Sequence, residues 1–335
     1  MQLSKFLLPL VLIISINIFS QKKPLICFSS DATKNDKQNI FIMDVNGDGV
    51  KQVAFHNLNC LSPRFSPDGK KIVFQATTKI SDFIYMVDLD DTSSFRYPKF
   101  ISGGVDPVFS PDGKYLIFRA ERDEDNAIFM LELETDSTEI ISDGSLSTHA
   151  EFSKDGNKVV YSSSLNGNFD LVVLDLNDNS DNAQKTIAST KDAELYGTFS
   201  YDGKLIAYAS FDINYKGTVR VIDSDGKGNI SISKGLGSSY NPKFSPDGKY
   251  LAFITDKGGS YQLMVCSPNG SGMKQMTSSS GNTLEFDWSP DSKKIVYDKQ
   301  KDGVSSISVL DVETGKSENM TGEKANNLNP SFQPK

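Results

Sequence analysis

One ten-residue motif recurs through the chain at a nearly constant interval. Each copy begins with an aromatic ring, continues as Ser-Pro-Asp-Gly-Lys or a close variant, and ends in an apolar run. The copies begin at Phe65, Phe109, Phe152, Phe199, Phe244 and Trp288, 43 to 47 residues apart, and the motif starts once more at Phe332. A fixed period of this length is typical of a propeller, in which every repeat forms one blade of four strands.

Each copy predicts a tight hairpin between the first two strands of a blade. Pro presets φ in the turn, Asp bonds the backbone nearby, and Gly accepts a left-handed conformation. Three copies depart from this pattern, because Lys154 and Tyr201 replace Pro and Ser292 replaces Gly. Ser292 is expected to take a strained φ or a different turn. We interpret the repeated Asp residues as turn formers rather than ligands.

The segments before the first copy predict most of one further blade. Pro24 to Ser29 and Gln38 to Val45 are expected strands, with a third near Lys51 to Phe55. The missing strand is supplied by Pro330 to Gln333, so that both ends of the chain close the ring. The sequence therefore predicts an all-β, seven-bladed propeller. A six-bladed ring is the alternative, and it leaves one repeat unplaced.

These strands predict a single domain over residues 21–335. Blade 1 is expected from residues 24–56 plus 330–333, and the later blades begin near 63, 107, 150, 197, 242 and 286. With the strands of a blade lettered A to D in chain order, blade 2 runs from Pro63 to Ser66, Lys71 to Ala76, Asp82 to Leu89 and near Lys99 to Ser102.

The first twenty residues predict a secretory signal peptide. Lys5 precedes the apolar stretch Phe6 to Phe19, which is too short to span a bilayer comfortably. Cleavage is expected after Ser20, which makes the protein periplasmic or secreted and leaves no membrane span. A lipoprotein signal ending at Cys27 and an uncleaved anchor are the alternatives.

Composition argues against several classes of partner and site. The net charge is −8 and no run of Lys or Arg exceeds two residues, which disfavours nucleic acid and anionic membranes. Cys27, Cys60 and Cys266 are too few for a disulfide framework. Cys27 and Cys60 are candidates for one disulfide in an oxidising compartment, and burial as small apolar residues is the favoured interpretation.

Enzyme signatures are mostly missing from the sequence. The chain contains two histidines, His56 and His149, and neither a G-x-S-x-G elbow nor a phosphate-binding loop. Asp44 to Gly49 matches the start of a calcium loop, but Phe55 occupies the position that requires a bidentate Glu. We therefore predict no catalytic residue, metal or cofactor. A pair of carboxylates acting on a glycan stays open, because their separation is invisible in sequence.

Alternation along strand A, the innermost strand of each blade, predicts which side chains face the central channel. Polar residues stand one and three positions before the ring, and further charged residues stand in the B–C loop of blade 3. The candidates for binding a partner are Arg64, Asp106, Arg119, Glu121, Arg122, His149, Glu151, Tyr196, Asn241, Lys243, Glu285 and Asp287. They are expected to gather in the channel and at the mouth formed by the D–A and B–C loops, together with Asp123.

The motif F-S-P-D-G-K-x-[IL]-x-[FY], followed by an apolar C strand ending in Asp, resembles the WD-like repeat of TolB-type propellers. The resemblance covers residues 24 to 335 and implies a propeller fold. The repeat also occurs in TolB, a periplasmic protein-binding component of the Tol envelope system, and in propellers attached to peptidases of the prolyl oligopeptidase and tricorn types. The chain departs from TolB in lacking an α/β domain before the propeller and in its count of seven blades.

Three functions follow from these observations as hypotheses. The first is an exported, non-enzymatic and monomeric propeller that binds a protein or peptide in the cell envelope. The second is a carbohydrate-active lyase or hydrolase that uses carboxylates at the channel mouth, such as Glu121, Glu151 or Glu285. The third is a purely structural module of the envelope.

Overall fold

A computed structural model describes residues 23–33, 37–54, 58–79, 81–92, 95–96, 103–122, 125–180, 182–256, 258–278 and 280–334. In this part of the chain every regular element is a strand, and seven antiparallel sheets of four strands form the blades of a ring. The prediction of a seven-bladed, all-β propeller is confirmed. The predicted signal segment and Asp123 lie outside these ranges. None of the described residues belongs to a helix long and apolar enough to cross a membrane.

The strands fall four to a blade. Blade 1 contains β28 (Asn327–Phe332), β1 (Leu25–Ser30), β2 (Asn39–Asp44) and β3 (Lys51–Gln52). Blade 2 contains β4 (Asn59–Phe65), β5 (Lys71–Thr77), β6 (Asp82–Asp88) and β7 (Phe95–Arg96), so its D strand precedes the expected stretch at 99–102, which lies outside the described residues. Blade 3 contains β8 (Val105–Phe109), β9 (Tyr115–Arg122), β10 (Asp125–Glu132) and β11 (Thr138–Ile140).

The remaining blades repeat the same order. Blade 4 contains β12 (Ser147–Phe152), β13 (Lys158–Ser163), β14 (Asp170–Asp175) and β15 (Gln184–Ala188). Blade 5 contains β16 (Ala193–Phe199), β17 (Leu205–Phe211), β18 (Gly217–Asp223) and β19 (Ile230–Ser231). Blade 6 contains β20 (Ser239–Phe244), β21 (Leu251–Thr255), β22 (Gln262–Cys266) and β23 (Lys274–Gln275). Blade 7 contains β24 (Asn282–Trp288), β25 (Lys294–Lys301), β26 (Val304–Asp311) and β27 (Ser317–Asn319).

The two ends of the chain close the ring within blade 1. Strand β28 pairs antiparallel with β1, with Phe332 opposite Ile26. Beyond the strand, the Gln333 backbone N–H donates to the Leu25 carbonyl at 2.8 Å, and its amide nitrogen Nε2 donates to the Gly69 carbonyl in the first turn of blade 2 at 2.8 Å. The closing strand is thus tied both to its own blade and to the next one, which leaves no open edge between the first and last repeats.

Seven hydrophobic clusters lie at the junctions between blades. Each cluster combines the B and C strands of one blade with the ring residue that starts the motif of the next blade. The seven ring side chains are all at most 8% exposed: Phe65, Phe109, Phe152, Phe199, Phe244, Trp288 and Phe332. Cys27 and Cys60 are buried in one such cluster as free thiols, and Cys266 is buried in another, so these cysteines pack as small apolar residues.

A serine hydroxyl organises each A–B turn, a role that the sequence did not predict. In the first copy, Ser66 Oγ donates to Asp68 Oδ1 at 2.6 Å and accepts from the Lys71 backbone N–H at 2.9 Å. Asp68 Oδ1 also accepts from the Lys70 N–H. The serine–aspartate bond recurs in all six copies at 2.6 to 2.8 Å. The Asp residues therefore serve the turn, as predicted, with Ser as their partner.

A bulge interrupts every A strand three residues before its ring. In blade 2, Leu61 and Arg64 pair with Gln75 and Val73, so three steps on β4 match two steps on β5. The residue at the bulge has a left-handed φ of 51° to 60° in six blades, at Ser62, Asp106, His149, Tyr196, Asn241 and Asn329. The prediction that residues one and three before the ring share a face is wrong, because the extra residue shifts the alternation.

Ser292 shows how a departure from the turn motif is tolerated. It adopts the left-handed φ of 61° that glycine takes in the other copies, and its hydroxyl accepts from the Asp247 N–H of the neighbouring turn at 3.0 Å. A left-handed conformation costs a non-glycine residue about 1–2 kcal/mol. A hydrogen bond returns about 0.5–1.5 kcal/mol, so the two effects nearly cancel.

We therefore expect Ser292→Gly to change the free energy of unfolding by less than about 1 kcal/mol, because strain and the bond between turns are lost together. The matched variant is Gly203→Ala, at φ of 70° with open space where the methyl group would lie. It adds strain without a new bond and should cost about 1–2 kcal/mol. Urea denaturation measures both, and a larger loss for Ser292→Gly than for Gly203→Ala would contradict this account.

Candidate functional site

The central channel widens into a cavity of about 760 Å³ on the side of the A–B turns, here called the turn-side cavity. Its wall is built from three positions of every repeat: the residue before the ring, the ring itself and the residues of the following turn. The cavity is therefore a product of the repeat, and each blade contributes one set of side chains. The sequence pattern favours the opposite mouth for binding, whereas this cavity opens beside the turns.

The residues that stand one position before the ring form a belt around this cavity. Four of them carry charges that alternate in sign around the ring, in the order Arg64, Glu151, Lys243 and Asp287. Val108, Thr198 and Ser331 occupy the other blades. A neutral side chain therefore lies between the two members of three of the four neighbouring pairs of charges. Among the described residues, none of the four charged groups forms an ion pair within 4 Å with another.

Hydrogen bonds hold several members of this belt in place. Glu151 Oε1 accepts from the Thr198 hydroxyl at 2.9 Å, and Lys243 Nζ donates to the Phe286 carbonyl at 2.6 Å. Asp287 Oδ2 accepts from the Ser331 hydroxyl at 3.0 Å and from the Phe332 N–H at 2.9 Å. Asp287 therefore connects blade 7 to the closing strand of blade 1, and its position is fixed by the fold.

Burial opposes the charges of two belt residues. It raises the pKa of Glu151, and it lowers the pKa of Lys243, with the Arg64 charge adding to the effect on the lysine. Titratable groups that are desolvated and placed beside other charges in a cleft are frequent in functional sites. A ligand that brought complementary charges would offset part of this desolvation, so the belt favours polar or charged partners over apolar ones.

The rim of the cavity is asymmetric because two repeats lack the turn proline. Pro67, Pro111, Pro246, Pro290 and Pro334 line it in five blades. In blades 4 and 5 the equivalent residues are Lys154 and Tyr201, and the lysine Nζ lies 5.6 Å from the centroid of the tyrosine ring. Tyr201 is 54% exposed. The sequence departure at these two turns thus creates a distinct, accessible stretch of rim.

The other candidates from the sequence lie away from this cavity. Asp106, His149, Tyr196, Asn241 and Glu285 are at the bulges or beside them, and none lines the cavity. Arg119 forms an ion pair with Asp106 at 3.6 Å across blade 3, and Glu121 is exposed. Arg122 ends β9, and its side chain is outside the described structure. The twelve candidates therefore divide into a charged belt and a second group toward the opposite mouth.

Sequence reasoning missed the residues that surround this second group. Tyr240, Tyr261 and Phe211 contribute rings there, and Asp298 is buried behind Glu285. Asp298 Oδ1 accepts from the N–H groups of Leu284 and Glu285, both at 2.9 Å. A signal for the bulge was present, because four of the seven residues at this position are Asn, Asp or His, the types most enriched at positive φ. The contacts of Phe211, Tyr240 and Asp298, which lie in three different strands, left no such pattern.

Among the residues that the structure describes, no cluster of three or more His, Cys, Asp or Glu side chains has a geometry suited to a metal ion. The calcium-like segment at Asp44 forms the hairpin turn between β2 and β3. Asp44 Oδ1 accepts from the Asn46 and Asp48 N–H groups, while Oδ2 accepts from Lys23 Nζ at 2.9 Å. The carboxylate of Asp44 is thus occupied by contacts within the chain.

Replacing Glu151 by Gln tests whether the buried charge of Glu151 destabilises the folded protein as pH rises. An acid whose pKa is raised by folding stabilises the native state at low pH, and this contribution is lost as pH rises through the folded pKa. The amide of Glu151→Gln keeps the acceptor for Thr198 but carries no charge. We expect its free energy of unfolding, relative to the parent protein, to increase between pH 4 and pH 7 in urea titrations. Glu318→Gln, on the exposed strand β27, is the control. A pH-independent difference for Glu151→Gln would contradict the prediction.

Comparison with protein families gives a match over nearly the whole chain. The family model described as the TolB beta propeller domain matches residues 18–194 and 174–335. No curated protein sequence matches the chain.

Solved structures share the architecture at low sequence identity. TolB from Acinetobacter baumannii is 21% identical with a TM-score of 0.62, covering 93% of this chain and 67% of that one. The β-propeller domain of the Trilobed protease from Pyrococcus furiosus is 17% identical with a TM-score of 0.69, covering 90% and 95%. An oligogalacturonate lyase in complex with manganese is 15% identical with a TM-score of 0.66, covering 88% and 84%. These likenesses establish the fold and leave the activity open.

Proposed function

From the premise that the chain belongs to the TolB beta propeller domain family, we propose that it is a non-enzymatic binding protein that holds a polypeptide segment in the turn-side cavity. The observation that carries the proposal is the cavity itself, with its charged belt inside an apolar rim of prolines and aromatic rings. Such a combination suits a peptide, which can present apolar and charged side chains to the same cavity.

The order of charges around the belt defines what the ligand must offer. A polypeptide with both an acidic and a basic side chain can pair with Lys243 or Arg64 on one side and with Glu151 on another. Rigid hydrogen bonds at Asp287 and Lys243 preorganise the receptor, so little ordering is needed on binding. Lys154 and exposed Tyr201 add a contact for the part of the ligand that emerges from the cavity.

The hydrogen bonds of the belt favour binding over carboxylate catalysis. Asp287 and Glu151 are the acidic side chains of the belt. Both oxygens of Asp287 are engaged, since Oδ1 accepts from the Trp288 N–H at 3.0 Å and Oδ2 from Ser331 and Phe332. Using this carboxylate as a nucleophile or base would disturb the contact between blade 7 and the closing strand. We therefore assign it to structure and Glu151 to ligand recognition.

The proposed location of this activity is the cell envelope. It rests on the sequence pattern of residues 1–20 and on the resemblance to TolB-type propellers. A polypeptide partner in the same compartment, bound by one copy of the propeller, completes the proposal.

Site-specific photo-crosslinking tests the proposal in cells that produce the protein. A photoreactive phenylalanine at Tyr201, on the cavity rim, is expected to give a discrete protein adduct. The same probe at Ile213, which is 92% exposed in the B–C loop of blade 5, serves as the matched position on the opposite side. Adducts of equal yield and identity at both positions would contradict binding at the cavity.

Two belt variants then assign the adduct to the charged belt. Arg64→Glu and Lys243→Ala should each lower the yield at Tyr201 about tenfold or more, because an acidic side chain of the bound polypeptide loses its half-buried basic partner in the belt. Lys227→Ala removes a lysine from the outer turn of blade 5, where its side chain is 79% exposed, and should leave the yield unchanged. An undiminished adduct in both belt variants would remove the belt from the site.

A further inference from the structure

A continuous cluster of aromatic rings lies at the mouth opposite the turn-side cavity and comes from blades 4, 5 and 6. We call it the aromatic mouth, and it consists of His149, Tyr196, Phe211, Tyr240 and Tyr261. The His149 and Tyr196 rings are 4.1 Å apart between centroids, and Tyr196 lies 6.2 Å from both Phe211 and Tyr240. Tyr240 meets Tyr261 edge-on at 5.7 Å. Tyr261 is 36% exposed, and Tyr196 and Tyr240 are partly exposed.

The central ring of this cluster occupies an unfavourable backbone position. Tyr196 has a φ of 60° at the bulge of blade 5, where blades 1 and 6 use Asn and blade 3 uses Asp. Asn and Asp take this conformation at less cost than an aromatic residue. Strain retained at one repeat, where three other repeats carry the better-suited Asn or Asp, is characteristic of functional positions. The side chain of Tyr196 is therefore a candidate for a role beyond closing the bulge.

Negative charge surrounds these rings. Burial, and after it the charges of Glu285 and Asp106, raises the pKa of Tyr196. Glu285 accepts from the Asn241 amide at 3.2 Å and has no ion-pair partner among the described residues. Behind it, burial raises the pKa of the Asp298 carboxyl to about 6. The charge of Glu285 thus acts on Tyr196, and no cation among the described residues lies within 4 Å of its carboxylate.

The basic groups nearby are neutral or make their direct contacts elsewhere. The charge of Lys243 interacts with Glu285, but its Nζ donates to the Phe286 carbonyl in the turn-side cavity. Burial lowers the pKa of His149 to about 4, which keeps its imidazole neutral at pH 7. Arg119 is paired with Asp106 at 3.6 Å in blade 3, on the side of the mouth away from Glu285. Lys299, in blade 7, donates to the Ser280 hydroxyl at 3.1 Å.

We propose that the aromatic mouth binds the guanidinium or ammonium group of an arginine or lysine side chain in a polypeptide. The faces of Tyr196 and Tyr240 attract a cation through their quadrupoles, and Glu285 supplies a carboxylate for a charge-assisted hydrogen bond. A neutral ligand would contact the rings but would gain neither the cation–π attraction nor the charge-assisted hydrogen bond to Glu285. This site lies outside the turn-side cavity, and the inference does not rest on the function proposed above.

A pair of peptides that differ in charge alone tests the mouth directly. The purified chain, with its tyrosines labelled with ¹³C, is titrated by NMR with acetyl-Gly-Arg-Gly-amide and with the same peptide carrying citrulline, which has the shape of arginine without its charge. We expect saturable shifts with the arginine peptide and at least tenfold weaker binding of the citrulline peptide. Equal binding of the two peptides, or binding of neither, would overturn the proposal.

Variants then assign the binding to named side chains. Glu285→Gln should weaken the arginine peptide about tenfold or more, and Tyr196→Asn should abolish its binding. Because Asn tolerates the left-handed backbone, Tyr196→Asn is expected to keep a melting temperature no lower than that of the parent protein, which a purely structural tyrosine would not permit. Glu318→Gln, in the outer strand β27, is the control and should bind as the parent does.

Two further measurements separate this proposal from its rivals. Glu151→Gln removes the carboxylate of the turn-side cavity that could bind the arginine peptide instead, and it should leave the titration unchanged. A neutral oligosaccharide, cellotetraose, is titrated in parallel. Binding of cellotetraose that depends on Tyr196 but not on Glu285 would assign the mouth to glycans and overturn the proposal.

Discussion

The structure depends on burying one aromatic ring at each junction between blades. No blade can bury both of its faces by itself, because each cluster needs the ring from the following repeat. Phe199, for example, packs against Val160 and Leu171 of the preceding blade. Each fully buried ring contributes on the order of 1.5–3 kcal/mol, and this gain exists only when neighbouring blades are docked. Closure by β28 completes the last junction, where Phe332 packs against Val296 and Ile307.

This constraint explains why the sequence predicts the fold so well. The spacing of the rings, the turn residues and the apolar runs are all local, and all are repeated, so six copies reinforce one interpretation. The division of blade 1 between the two termini could be predicted because the N-terminal blade lacks an A strand and the C-terminal residues Pro330 to Gln333 provide one. Strand ends were less predictable. In blade 2 the A strand begins at Asn59 rather than Pro63, because the residues before the bulge pair with β5 as well.

The candidate site was harder to predict because it depends on one extra residue per blade. Simple alternation placed Arg64 and Ser62 on one face, and the bulge separates them. The same shift removes Asp106, His149 and Tyr196 from the cavity that holds Glu151 and Lys243. The grouping of these residues required the strand register, which alternation alone does not give. Tyr240 joins the mouth from strand β20 and Tyr261 from the residue before β22, and contacts of this kind leave no period in the sequence.

Departures from the repeat, rather than the repeat itself, distinguish the two ends of the channel. The serine–aspartate turn is nearly uniform, so it gives every blade the same rim and cannot by itself select a partner. Lys154 and Tyr201 break that uniformity on the turn side, and Tyr196 breaks it at the bulges. Both Tyr201 and Tyr196 belong to blade 5, which therefore contributes an unusual aromatic residue to each end. In a scaffold that repeats the same blade seven times, we expect specificity at the positions where one blade replaces the residue best suited to the turn or the bulge. Blade 5 does so with Tyr201 in place of Pro and with Tyr196 in place of Asn or Asp.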